Sequence, residues 1–127
     1  MQILILHHNF PGQFIGIGRW LAKNNKVTFI CDTNFQGQDT HGMKVIINQE
    51  KRVKDKKTNG QINCANRFMK TMKEIKQKGY TPNIIISHSG WGCGLYAKSI
   101  FTSSRLITYS EWWFKLESQE YDYKNTE

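Results

Sequence analysis

Three short stretches carry side chains that could do chemistry: His7-His8-Asn9-Phe10-Pro11-Gly12-Gln13, Ser87-His88-Ser89-Gly90-Trp91-Gly92-Cys93-Gly94 and Ser110-Glu111-Trp112-Trp113. Histidine is the side chain that exchanges a proton near neutral pH. A glycine where a helix begins lets a phosphate or a sugar hydroxyl approach unpaired backbone N–H groups. Tryptophan offers a flat apolar face on which a sugar ring or a base stacks. His7 or His8, with His88, Gly12, Trp91, Trp112 and Trp113, therefore reads as equipment for holding a sugar- or phosphate-bearing ligand. The same residues have plainer uses: a histidine at a strand end is often a satisfied structural residue, and tryptophans can simply cover the end of a sheet.

The chemistry depends on what places these stretches. Residues 2 to 7 read as a short strand with both faces apolar, as in the centre of a parallel sheet covered on two sides. From Gly12 to Asn25 the period changes, and Phe14, Ile17, Trp20 and Leu21 predict the apolar face of a helix. Further strands are expected at Val27–Cys31, Met43–Ile47, Ile84–Ile86 and Arg105–Tyr109. Ile62, Ala65, Phe68, Met69, Met72, Ile75 and Gly79 predict one face of a long helix whose other face carries Lys70, Lys73, Lys76 and Lys78. A short helix is expected over Leu95–Ile100. Strands alternating with helices predict an α/β, three-layer Rossmann-like domain over residues 1–127, with a mainly parallel sheet in the order 3-2-1-4-5. The link between the second and third strands lacks a helical pattern, so an irregular crossover or an antiparallel pair is expected there. Ligands of such sheets bind beyond the carboxyl ends of the strands, where the order reverses. That point lies between the first and fourth strands, and the loops following them are the two histidine-glycine stretches.

Composition narrows the classes. The 127 residues are 39% hydrophobic and 22% charged, which is globular rather than disordered. A net charge of +8 suits nucleic acid, an anionic membrane surface or phosphorylated small molecules, or simply a solvated basic face. Lysines and aromatics are not interleaved along one stretch, so nucleic acid ranks last. Three cysteines with no C-x-x-C pair fit neither a disulfide framework nor a zinc site, and they fit a reducing, cytoplasmic setting. Gly12, Gly16 and Gly18 do not form G-x-G-x-x-G, and there is no G-x-x-x-x-G-K-[ST]. Ser-His-Ser-Gly-Trp-Gly lacks the G-x-S-x-G order of a nucleophile elbow, and His41 has no partner at metal-ligand spacing.

Read together, "ILILHHNFPGQF", "RWLAKNNKVTFIC", "GYTPNIIISHSGWG" and "RLITYSEWWF" resemble the N-terminal region of family 4 glycosyltransferases with the GT-B fold. The resemblance runs over nearly the whole chain in the same order. It implies a retaining, metal-independent transfer of a sugar from a nucleotide-sugar donor, with no cofactor. It also implies that this chain is the acceptor-side half, ending before a C-terminal nucleotide-sugar-binding domain, and that alone it is inactive. Residue by residue, Gly12, with Gln13 beside it, maps onto the loop near the donor phosphates, and His88 onto the cleft histidine taken here as catalytic. His8, Asn9, Phe10, Ser89, Gly90, Trp91, Glu111 and Trp112 are then expected to line the cleft or hold the acceptor. Acceptors of such enzymes are often lipid-linked, so peripheral contact with the inner face of an anionic membrane is a further expectation. The alternative is a stand-alone module that binds a nucleotide, glycan or phosphorylated ligand without catalysis.

Overall fold

The computed structural model describes residues 1–32, 38–49 and 60–111. The strands are β1 (Gln2–Leu6), β2 (Lys26–Cys31), β3 (Lys44–Ile47), β4 (Ile84–His88) and β5 (Arg105–Tyr109). The helices are α1 (Ile15–Ala22), entered through a 3-10 turn at Gly12–Phe14, then α2 (Gly60–Gln77) and α3 (Ala97–Ile100). The expected short helix thus begins two residues late, its first turn being taken up by the glycine-rich loop. All strand pairs are parallel and the order is β3-β2-β1-β4-β5, as the alternation predicts. The β2–β3 pair is parallel too, which settles the irregular link in favour of a crossover.

Two apolar clusters cover the sheet. On one face Leu4, Leu6, Ile30 and Ile85 pack against Phe68 and Met72 of α2 and Ile100 of α3. On the other, Ile3, Ile5, Phe29 and Ile86 pack with Phe10, Phe14 and Met43. Burial of these side chains on both faces is the main stabilising term, at about 25 cal/mol per Å² of apolar surface removed from water.

The register of α1 differs from its expected face. Gly18 is its buried residue, and Leu21 and Ala22 pack on the core, while Ile17 and Trp20 are 46% and 67% exposed. Met43 explains the shift. Its sulfur lies so near Gly18 that a Cβ there would stand 2.6 Å away, so the helix seats its smallest residue on the sheet side.

The amino ends of the strands are stapled by Asn83, whose side-chain oxygen accepts from Gln2 N–H at 2.8 Å and whose backbone pairs with both Gln2 and Arg105. The far end of α2 closes with Gly79 at φ +85°; Tyr80 N–H reaches Ile75 O at 3.0 Å and Gly79 N–H reaches Lys76 O at 2.9 Å. That pair of bonds satisfies the carbonyls a helix end leaves open.

Candidate functional site

The loops after β1, β4 and β5 meet at the carboxyl rim, at the point where the strand order reverses. His7, the first residue past β1, is buried and sits at the centre. Its ring stacks on His8 with centroids 4.5 Å apart, meets His88 edge-on at 5.3 Å and meets Phe14 edge-on at 5.6 Å. His8 in turn contacts Trp91, centroid to centroid at 4.4 Å. The two histidine-bearing loops are therefore in direct contact. Gly12 is the reason His7 fits: its φ is +52°, and a Cβ there would stand 2.6 Å from the His7 ring.

Hydrogen bonds orient the rings. Asn9 places its carbonyl oxygen 2.7 Å and its backbone N–H 3.0 Å from His7 Nδ1, so either tautomer finds a partner. Burial pushes the His7 pKa down from its usual value, and proximity to His88 adds to the effect, against the opposing Asn9 carbonyl. In the β4 loop, Gly90 N–H donates to His88 Nδ1 at 3.1 Å. A backbone N–H can only donate, so neutral His88 carries its proton on Nε2. That nitrogen is buried and lies 3.4 Å from a Glu111 carboxylate oxygen, too poorly aligned for a hydrogen bond. The other Glu111 oxygen accepts from the Gln13 side-chain amide. Ser89 ties the β4 loop to the β5 end through Ser89 N–H to Tyr109 O at 2.9 Å and a hydroxyl contact with Ser110 at 3.1 Å.

A second layer holds these loops. Successive turns of α2 present Gln61, Cys64, Arg67 and Thr71 toward the rim. Gln61 donates to Gly90 O at 2.9 Å, and a Cβ on Gly92, at φ +78°, would collide with the Gln61 carbonyl. Cys64 and Cys93 sulfurs lie 3.6 Å apart, buried and not joined in a disulfide. The hydrogen bond with the Cys64 thiol, together with burial, pushes Cys93 far above the usual thiol range. Arg67 meets Asp32 at 3.2 and 2.8 Å, Asn48 donates to Asp32 at 2.7 Å, and Thr71 donates to Asn48 at 2.6 Å. Asp32 N–H donates to His8 O at 3.0 Å, which connects this network to the first loop.

Of the residues expected at the site, His8, Asn9, Gly12, Gln13, His88, Ser89, Gly90, Trp91 and Glu111 come together at this rim. Phe10 does not line it: the ring is 5% exposed and packs edge-on against Phe29 at 4.9 Å, because the apolar face above β2 draws it inward. Trp112 and Trp113 lie outside the described residues. One rim residue was offered by the sequence only as an alternative to His8, and another was not singled out. His7 forms the hub of the cluster. Tyr109, 44% exposed, faces His88 and Phe14 at 5.8 Å each. The alternation of β5 places Tyr109 on the same face as Ile107, a signal present in the sequence but masked by its position as an ordinary strand residue. His41 is paired with Asp39 at 3.1 Å. Among the described residues there is no group of three metal-ligating side chains and no helix long and apolar enough to cross a membrane.

An open hollow of about 590 Å³ lies at the opposite, amino rim, lined among others by Met1, Lys23, Asn25, Lys26 and Asn83. It holds amides and lysines but none of the histidines, and it is far from the reversal of strand order. The carboxyl rim is the better candidate.

The model of the glycosyl transferase family 4 group matches residues 23–127, which takes in β2 through β5, His88, Trp91 and Glu111. The chain belongs to this family. Comparison with curated proteins and with solved structures found no match. A glycosyltransferase domain of this family takes a sugar donor and an acceptor as its substrates. The β1 loop, with His7, His8, Gly12 and Gln13, lies before the matched segment, yet His7 and Gly12 pack into the same cluster as His88 of the family 4 region.

Proposed function

We propose that this domain is the acceptor-side half of a retaining, metal-independent GT-B glycosyltransferase that uses a nucleotide-sugar donor and works in the cytoplasm. A C-terminal nucleotide-sugar-binding domain would complete the cleft. In the transfer, the bond from sugar C1 to the diphosphate oxygen breaks, a bond from C1 to the acceptor oxygen forms, and the acceptor proton leaves with the diphosphate. Charge therefore develops on the diphosphate oxygen, and fixed donors aimed at it are the main catalytic device. His88 Nε2–H and the Gln13 amide are such donors; Gly12 permits close approach. His8, Asn9, Ser89, Gly90 and Trp91 would contact the acceptor, with Trp91 as a stacking face.

The observation that carries this reading is the 5.3 Å contact between His7 and His88, which joins the loops of β1 and β4 at the reversal of strand order. The test is a titration with a panel of nucleotide-sugars, followed by amide resonances. Gly12, Gln13, Gly90 and Trp91 should shift together. Shifts confined to Lys23, Lys26 and Asn83 around the amino-rim hollow would overturn it. The 127-residue chain alone should release no nucleoside diphosphate from any donor; sustained turnover would refute the division of labour between two domains. The net charge of +8 supports docking on an anionic bilayer, where such acceptors reside. Co-sedimentation with vesicles that ignores their anionic lipid content would remove that element alone.

A further inference from the structure

Glu111 is an acid placed where the proposed function needs an anion. Its two carboxylate oxygens face the two side-chain donors of the site. One accepts from the Gln13 amide and the other stands 3.4 Å from His88 Nε2. The Gly90 N–H bond to His88 Nδ1 fixes the proton on Nε2, so both groups present N–H toward the carboxylate. A carboxylate and a phosphoryl group are alike in the respects that matter here: both are anionic, both only accept, and both offer oxygens spaced to bridge two donors.

We propose that Glu111 holds the position of a substrate phosphoryl group in the empty site and is displaced when that group arrives. The carboxylate acts as an internal competitor that holds the Gln13 amide and stands beside the buried His88 Nε2 while no ligand is present. This rests on the reading of the rim as a nucleotide-sugar site, and adds that Glu111 opposes rather than assists binding of the diphosphate.

Three features make displacement cheap. The Glu111 side chain is 32% exposed, so water receives the carboxylate when it leaves. Its contact with His88 is misaligned, and little is lost when it breaks. Glu111 also lies two residues beyond the end of β5, so its side chain can turn outward without disturbing a strand. A negative charge left beside an arriving phosphoryl group would repel it, so binding and outward rotation are coupled.

Inorganic pyrophosphate is the probe, titrated at constant ionic strength and followed by amide resonances of the rim. Glu111→Gln removes the charge and keeps the shape; Glu111→Ala empties the position. Both should bind pyrophosphate about five-fold more tightly than the unmodified chain, the loss of one charge-assisted competitor. Glu74→Gln on the solvent side of α2 makes the same change in net charge away from the rim and should leave affinity unchanged. His88→Gln should weaken binding in every background. If both Glu111 variants bind more weakly than the unmodified chain, or no differently, the competitor role is overturned while the phosphoryl site stands. If His88→Gln has no effect, or the gain appears equally with Glu74→Gln, the phosphoryl site itself is overturned.

Discussion

Asp32 and Arg67 form a doubly bonded ion pair in the interior, with nitrogen-to-oxygen distances of 3.2 and 2.8 Å and side chains 7% and 9% exposed. The hydrogen bond to the carboxylate raises the Arg67 pKa above its already high value, so the charge is permanent. Asn48 and Thr71 complete the network. Such a pair is costly to desolvate, and its main use is to fix geometry, here the distance between α2 and the ends of β2 and β3.

Removing one partner should therefore be far worse than removing both. Asp32→Asn leaves a buried guanidinium without its countercharge and should cost about 3–5 kcal/mol. Asp32→Leu with Arg67→Met should recover most of that loss. Urea unfolding of the single and double variants reads both values, and equal losses for the two would show that the pair is not acting as a unit.

Gly12 and Gly79 provide a matched comparison. Both have positive φ, at +52° and +85°, but a Cβ on Gly79 meets nothing within 4 Å whereas one on Gly12 meets the His7 ring at 2.6 Å. Gly79→Ala should cost only the left-handed backbone penalty, about 1–2 kcal/mol. Gly12→Ala should cost that and a further overpacking penalty of about 1–3 kcal/mol, with displaced His7 ring resonances. Equal losses at the two glycines would mean that the His7 contact yields freely.

Much of the fold is legible in the sequence, and the exceptions have physical reasons. Two-sided apolar strands such as Ile3–Leu6 and Ile84–Ile86 can only be buried in the middle of a covered sheet, so the strand order followed. Trp20 and Ile17 misled because hydrophobicity marks a candidate face, while the seating of α1 was decided by which residue could be small opposite Met43. Arg67 and Thr71 were invisible as rim supports: a charged or polar residue on a helix reads as solvent-facing unless its partner, here Asp32 some 35 positions earlier, is known. At the site, loop convergence was legible from topology alone. The centrality of His7 was not, because it depends on the Gly12 backbone and on ring orientation.

Burial of His7 carries a pH consequence. Its folded pKa lies below the usual value of 6.5, so between the two the unfolded chain binds more protons than the folded one. The stability from neutral His7 is fully present above pH 6.5 and is lost as pH falls through 6.5 toward the lowered folded value. Urea midpoints should drop between pH 7.5 and pH 5.5, and His7→Gln should flatten that part of the profile. An unchanged slope in the variant would assign the titration to another group.

The three cysteines are all buried and none is in a disulfide. Thiolate is the reactive form, and Cys93 is pushed strongly toward the neutral thiol. A colorimetric thiol reagent at pH 8 should label none of them quickly in the native protein and all three in urea. Rapid native labelling of one equivalent would place that cysteine at the surface.

Trp91 separates stability from binding. It is 46% exposed, leans on His8 at 4.4 Å and lies 6.2 Å from His88, so one face of the indole remains open to the rim. Truncation of a half-exposed ring that supports no core should shift stability by little, within about 0.5–1 kcal/mol. A ring or base stacked on the open face, however, gains about 0.5–1.5 kcal/mol from the aromatic contact. Trp91→Ala should therefore keep the unfolding midpoint near that of the unmodified chain and weaken nucleotide-sugar or acceptor binding by about three- to ten-fold. Trp91→Phe retains a flat face and should recover part of the affinity. If Trp91→Ala binds as well as the unmodified chain while losing stability, the indole covers the His8–His88 contact and does not serve as a platform. Among the described residues the other exposed aromatic of the rim is Tyr109, and Tyr109→Ala then becomes the variant that loses binding.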